Sequence, residues 1–332
     1  MKVAFRNFLR IFATVEPAKP LNNAQIGRSF FFIMKAKYTK VCNTPEELVI
    51  LLKSRGLQIE DENRAQNYLS NIGYFRLSAY FYPLLTEAKA EHIYKQGATF
   101  SAVMNMYRFD RKLRLLLFNE IEKIEVSIRS ALINIVSKEL NDVFWMTNAQ
   151  HFKDKAHFTS TLSLIDSELG HSKEDFIIHF KAAYSNAYPP AWMIAEILPL
   201  GTLSHIYMNL SQKKLKKLVA AYFGLQAPAF SSWILILGNL RNMCCHHSRT
   251  WNREIPIIPA SPVLAIHPWI DSTQTDMRRI YCRICLIKYL LYTVSPHNTF
   301  TGKLKSLLAT YPTIDINAMG FPANWEKEPL WQ

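Results

Sequence analysis

Cysteine is scarce in this chain, and its copies are irregularly spaced. The five cysteines stand at positions 42, 244, 245, 282 and 285 of 332 residues. A secreted disulfide framework uses an even number of cysteines, whereas an odd number leaves one thiol unpaired. The pattern therefore excludes a disulfide scaffold and favours the reducing cytoplasm.

Long apolar runs are also missing. Arg6 and Arg10 interrupt the N-terminal segment MKVAFRNFLRIFATVEPAKP, and the run FFFIM is too short to cross a bilayer. We expect no signal peptide, no transmembrane helix and no membrane partner. Because strand-like alternation, internal repeats and low-complexity tracts are lacking too, a composition of 49% hydrophobic and 20% charged residues predicts a folded all-α protein.

Acidic residues are outnumbered by basic ones. The 26 Asp and Glu stand against 39 Lys and Arg, giving a net charge of +13, which favours an anionic partner such as nucleic acid. The excess is uneven, and the first 33 residues differ in character from the stretch MKAKYTKVCNTPEELVILLKSRGL that begins at Met34. We expect residues 1–33 to be a non-native or disordered extension, without which the net charge is +9.

Helix signals divide the rest of the chain into three parts. In NTPEELVILLKSRGL, Thr44 is the expected N-cap, Pro45 the first helical residue and Gly56 the stop. A long amphipathic helix is predicted from about 101 to 140, with Glu125 and Arg129 in a solvated or interface-facing charge row. Its apolar stripe consists of Leu113, Leu117, Ile121, Ile124, Ile128 and Ile135. We expect a helical N-terminal region at 34–100, a helical bundle at 101–295 and a packed tail at 296–332.

The stretch RNMCCHHSRTWNR, residues 241–253, contains the candidate functional residues of this sequence. We predict a helix from about Ser232 to Ser248 whose buried stripe is Trp233, Leu237, Leu240 and Cys244. At about 100° per residue, Asn242, His246 and Arg249 project from nearly the opposite side, with Arg241 on the flank. No carboxylate of this helix neutralises that polar side.

These side chains are the ones that cleavage of an RNA phosphodiester needs without a metal. A histidine moves a proton to or from the 2'-hydroxyl or the 5'-oxygen, and an arginine holds the phosphorane-like charge. One helix projects only one histidine, His246, fully from its polar side. A two-fold dimer would bring two motifs, and so two such histidines, to one cleft. We expect no cofactor.

A zinc site is the alternative reading of the cysteines and histidines. It would have to use Cys244, Cys245, His246 and His247, with the pair Cys282 and Cys285. These cysteines lie within apolar helical runs, whereas structural zinc prefers closed ligand sets on turns. The sequence therefore favours a metal-free site.

At these residues the chain resembles a known family. RNMCCHH has the form R-N-x-x-x-H, which marks HEPN-domain RNases (higher eukaryotes and prokaryotes nucleotide-binding), and LRNMCCHHSRTWNRE is similar to a block of the bacterial Abi proteins, the abortive-infection proteins of the AbiD and AbiF type. Three further stretches resemble that family in the same order: SRGLQIEDENRAQNYLSNIGYFRLSAY, MYRFDRKLRLLLFNEIEKIEVSIRS and WMIAEILPLGTLSHIYMNL. Cys245 departs from the usual alanine.

The resemblance implies a HEPN-like helical bundle in a phage-defence or toxin-like protein. It assigns Arg241 to transition-state stabilisation, Asn242 to orienting the site and His246 to proton transfer. His247 and Arg249 match the Abi block alone, as supporting or RNA-binding residues, and Arg253 is a further RNA-binding candidate. The implied partners are RNA, a second copy of the chain and an antitoxin.

Two other functions stay open at this stage. One is a non-catalytic RNA-binding module that holds a small structured non-coding RNA. The other is a protein-interaction or membrane-surface protein that uses the basic N-terminus.

Overall fold

All regular secondary structure in the part of the chain described by the computed structural model is helical. This part comprises Tyr38 and residues 41–332, so the predicted extension at 1–33 lies outside it. Between 41 and 332 there are isolated β-bridges but no β-strand. The prediction of an all-α fold is confirmed.

The contacts divide the chain into two compact units, Met1–Arg108 and Phe109–Gln332. The described helices of the first unit are α1 (Pro45–Ser54), α2 (Glu62–Ile72) and α3 (Tyr74–Phe81). The boundary between the units falls within the long helix α4 (Phe100–Leu140).

Helix α1 begins as its sequence predicts. The Thr44 hydroxyl accepts the backbone N–H of Glu47 at 3.2 Å, and the Glu47 carboxylate accepts the backbone N–H of Thr44 at 2.7 Å. This reciprocal capping box satisfies two amide donors that the first turn otherwise leaves without partners. Gly56 follows the helix at a φ of +90°, which favours glycine.

Helix α4 confirms the long amphipathic prediction almost to the residue. Leu113, Leu117, Ile121 and Ile124 are fully buried along one side, with Ile128 close behind. Toward its end the buried positions are Leu132 and Val136, while Ile135 is only half-buried. The stripe thus drifts by one residue, as expected when a 3.6-residue turn is followed over many turns.

The second unit surrounds its core with helices in close succession. They are α5 (Lys155–His171), α6 (Asp175–Ala183), α7 (Ala191–Ile197), α8 (Leu200–Asn209), α9 (Lys213–Tyr222), α10 (Ala227–Cys245), α11 (Ile280–Val294) and α12 (Phe300–Thr310). Helix α10 packs against α8, α9 and α11. The tail beyond α12 packs Phe321, Trp325 and Trp331 around Tyr281 of α11.

No single helix in residues 41–332 has both the length and the apolar content of a membrane span. Helices α9 and α10 reach that composition only when taken together, across a 66° bend.

Candidate functional site

The stretch RNMCCHHSRTWNR lies at the C-terminal end of α10 and in the loop that follows. The predicted buried stripe of this helix is confirmed, since Trp233, Leu237, Leu240 and Cys244 are all buried. The Trp233 indole also donates a hydrogen bond to the carbonyl of Ala260 at 2.8 Å. The apolar side of α10 is therefore fixed, and its last turn presents the motif.

The helix ends earlier than predicted, at Cys245 rather than Ser248. The N–H of His247 donates to the carbonyl of Cys244 at 3.1 Å, and the N–H of Ser248 donates to the carbonyl of Met243 at 2.9 Å. These two bonds form a Schellman ending with His247 in the left-handed conformation at a φ of 55°. Arg249 therefore follows the helix, and the assumption that it shares a helical face with Asn242 and His246 was wrong.

The three residues assigned to catalysis lie within six consecutive positions at this helix end. Asn242 and His246 are exposed, and 41% of the Arg241 side chain is accessible. The backbone N–H of His246 donates to the Asn242 carbonyl at 2.9 Å, and Arg241 Nη1 lies 3.5 Å from Asn242 Oδ1. One exposed surface thus offers a guanidinium, a carboxamide and an imidazole.

The residues assigned to RNA binding lie around the same turn. His247 is exposed, whereas Arg249 and Arg253 are half-buried. Arg253 Nη1 lies 3.5 Å from the Arg249 carbonyl oxygen, so the two arginines are held near each other in the loop.

The motif helix has no carboxylate near its polar side, as its sequence shows, but a carboxylate from another helix approaches the motif. Glu125 of α4 places its Oε2 3.8 Å from Arg241 Nε and its Oε1 3.0 Å from Arg129 Nη2. Arg129 in turn donates to the carbonyls of Ala195 and Leu198. Inspection of α10 alone could not reveal Glu125, because it belongs to another helix. The charge row on α4 therefore belongs to the surroundings of the motif.

Asp110 fixes the loop after the motif, and sequence reasoning missed it. This carboxylate is fully buried and accepts the backbone N–H groups of Thr250 at 3.1 Å and Trp251 at 2.8 Å, together with the Thr250 hydroxyl. Arg114 donates to it at 2.5 Å and lies 3.3 Å from the Ser248 carbonyl oxygen. One buried ion pair therefore holds residues 248–251 against α4.

The sequence did contain a signal for Asp110. It lies three residues before Leu113 and seven before Leu117, so it occupies the apolar stripe of α4. A carboxylate at such a position is almost never fully buried without a partner. That position, with Arg114 four residues later, predicts a buried ion pair.

Arg283 of α11 holds the next part of the loop. Its buried guanidinium donates to the carbonyls of Ile255 at 3.1 Å and Arg279 at 3.0 Å, and also to those of Met277 and Ile257. Burial lowers the pKa of Arg283 from its usual range. Together, Asp110 and Arg283 fix the course of the chain beyond the helix end.

Three of the five cysteines are buried, namely Cys244, Cys282 and Cys285, whereas Cys42 is exposed and Cys245 half-buried. Cys282 and Cys285 are fully buried in α11, and burial raises the pKa of Cys244 and of Cys282 to about 12. Across residues 41–332, no group of three or more His, Cys, Asp and Glu side chains is arranged to hold a metal ion.

The fold and the site define an all-α protein that displays an R-N-x-x-x-H motif at an exposed helix end. The family model described as Abi-like protein matches residues 67–252, more than half of the chain. The chain belongs to this Abi-like family, and the matched region contains Asp110, Glu125, the motif from Arg241 to His246 and the loop after it as far as Asn252. Membership suggests a role in abortive infection, a form of phage defence.

Neither the curated proteins nor the solved structures include a significant match to this chain.

Proposed function

We propose that this protein is a metal-independent endoribonuclease of a bacterial abortive-infection or toxin system. The observation that carries the proposal is that Arg241, Asn242 and His246 lie together at the C-terminal end of α10, with Asn242 and His246 exposed. These three residues precede a loop that the buried ion pair of Asp110 and Arg114 anchors. An anchored loop favours a preorganised site.

The proposed reaction is attack of a ribose 2'-hydroxyl on the adjacent phosphorus. The 2'-oxygen forms a new bond to phosphorus while the bond to the 5'-oxygen breaks, leaving a 2',3'-cyclic phosphate and a 5'-hydroxyl. In this scheme His246 transfers a proton, Arg241 stabilises the charge on the phosphoryl oxygens, and Asn242 orients the groups. His247, Arg249 and Arg253 would contact the flanking RNA backbone.

A second copy of the chain completes the proposed site. Attack and departure need one group to accept a proton and another to donate one, and each chain supplies one His246. Helix α4, which contributes Glu125 to the surroundings of the motif, also carries exposed apolar residues at Leu115, Phe118 and Val126. Exposed apolar side chains on this helix are suitable for a two-fold interface, which would pair two motifs in one cleft.

The test is an RNA cleavage assay in EDTA with the purified protein. We expect cleavage to persist without divalent metal and to leave 2',3'-cyclic phosphate and 5'-hydroxyl ends. RNA products with 3'-hydroxyl and 5'-phosphate ends, or cleavage that returns only with added metal, would refute the mechanism. Tight RNA binding with no cleavage of any RNA offered would favour the non-catalytic module that holds a non-coding RNA.

Glu125→Gln tests the carboxylate that approaches Arg241. Removing this charge strengthens the attraction of Arg241 for a phosphate, so we expect RNA affinity to rise by up to about fivefold, the scale of an ion pair in which 41% of the Arg241 side chain and 15% of the Glu125 side chain are exposed. Fluorescence anisotropy at low salt measures it. Glu122→Gln removes the same charge three residues earlier on α4 and should change affinity less. Equal gains for both variants would show that only net charge matters.

The proposed mechanism also implies where the protein acts and that its activity is controlled. An RNase that arrests growth acts on cytoplasmic RNA and requires control by an antitoxin or an infection signal. Co-expression with neighbouring genes, scored by relief of toxicity, identifies such a partner.

A further inference from the structure

The first unit contains a cavity that the proposed function does not use. Its volume is about 100 Å³, and it opens between the start of α2 and the start of α4. Among the residues that line it are Gln58, Arg64, Tyr68, Ser101 and Arg108. All of them belong to the unit Met1–Arg108.

Two arginines converge on one tyrosine in this cavity. Arg108 Nη2 donates to the Tyr68 hydroxyl oxygen at 2.6 Å, and Arg64 Nη2 lies 3.4 Å from the same atom. Both guanidiniums also lie over the Tyr68 ring, at 5.5 Å and 5.7 Å from its centre. The hydrogen bond from Arg64, followed by that from Arg108, lowers the pKa of Tyr68.

Among the described residues, neither Arg64 nor Arg108 forms an ion pair with a carboxylate, although, after the hydrogen bond to Tyr68, the charge of Asp61 helps to raise the pKa of Arg64. Two acids do line the cavity, Glu60 and Asp61. Asp61 is engaged as the N-cap of α2, where its carboxylate accepts the backbone N–H of Arg64 at 2.8 Å, and Glu60 is exposed. Two positive charges thus lie at one side of the cavity, where they would attract an anion.

The geometry of the donors indicates which anion fits. Each guanidinium carries five N–H donors in a planar fork that matches the oxygens of a phosphate, and each uses one of its terminal nitrogens on Tyr68. Gln58 and Ser101 add polar groups to the same walls. The volume suits a phosphate group and is too small to enclose a whole nucleotide.

We propose that the cavity formed by Arg64, Tyr68 and Arg108 binds a phosphate group, either the terminal phosphate of an RNA strand or that of a free nucleotide. The site is separate from the R-N-x-x-x-H motif and does not depend on cleavage. It would give the first unit a role in recognising which RNA end or nucleotide the protein engages.

The experiment uses calorimetric titration of the full-length chain with four ligands. They are inorganic phosphate, ATP, and two RNA oligonucleotides of the same sequence, one with a 5'-phosphate and one with a 5'-hydroxyl. The RNA titrations use a His246→Ala background so that the strand stays intact. The difference between the two RNAs isolates the terminal phosphate from contacts that the α10 motif would make. A preference for the phosphorylated RNA identifies an RNA end as the ligand, and binding of ATP alone identifies a nucleotide.

Arg64→Gln and Arg108→Gln are each expected to weaken phosphate-dependent binding about tenfold, the loss of one charge-assisted contact. Lys95→Gln, an exposed basic residue of the same unit outside the cavity, removes the same charge and should leave binding unchanged. If either glutamine variant unfolds, Arg64→Lys and Arg108→Lys replace it. Lysine keeps the positive charge but lacks the planar set of N–H donors of the guanidinium, so these variants should still weaken binding. Absence of binding to all four ligands, or equal loss with Lys95→Gln, would overturn the proposal.

Discussion

His246→Ala is expected to lower the rate of RNA cleavage about 10²- to 10⁴-fold, the range for losing a group that transfers a proton in the transition state. The side chain is exposed at the end of α10, and the hydrogen bond that closes the turn comes from its backbone N–H, which alanine retains. The thermal unfolding of the chain should therefore hardly change. Single-turnover cleavage kinetics, with circular dichroism on the same samples, measure both effects.

His297→Ala is the matched control for this variant. His297 is also exposed, and it lies in the turn before α12. The control should cleave like the wild type. Cleavage by His246→Ala at the wild-type rate would exclude proton transfer by this residue, and a parallel loss of thermal stability would make the effect one of folding.

Asp110→Asn is expected to lower the free energy of unfolding by about 3–5 kcal/mol, the cost of breaking a buried ion pair by removing one charge. The change keeps the shape of the side chain but leaves the buried Arg114 guanidinium without its counter-charge. The bonds from Thr250 and Trp251 would be weakened as well, because a carboxamide is a poorer acceptor than a carboxylate. Urea denaturation measures the change.

Two further variants separate the ion pair from the loss of charge alone. Glu326→Gln removes a carboxylate from an exposed pair with Lys305 in the same unit and should cost at most about 1 kcal/mol. Asp110→Asn combined with Arg114→Met should cost less than the sum of the single changes, because no unpaired buried charge remains. Additive losses in the double variant would contradict a direct coupling.

The single variant Asp110→Asn also tests whether the loop after the motif keeps the motif in place. Asp110 lies 140 residues before Thr250 in the chain, yet it fixes the turn that follows His246 and His247. If this anchor is released, Trp251 should lose its burial and become accessible to chymotrypsin. Cleavage activity should then fall by more than the unfolded fraction explains, since an exposed catalytic group depends on its supports for orientation.

Local sequence determined helices α1 and α4, the buried side of α10 and the residues of the candidate site. A capping box fixes the start of α1, and a 3.6-residue apolar period fixes α4 and the buried side of α10, because both signals act within one or two turns. The spacing from Arg241 to His246 likewise placed a guanidinium, a carboxamide and an imidazole at one helix end. These features need no knowledge of distant residues.

Tertiary structure decided how that helix end is finished and supported. His247 adopts a left-handed conformation that glycine usually takes, so its side chain gave no stop signal and the helix was predicted too long. Glu125 and Asp110 reach the motif from α4, and Arg283 holds the next loop from α11. Periodicity describes which side of a helix is buried, whereas the partner that covers it is set by contacts between residues far apart in the chain, and those form only when the helices pack.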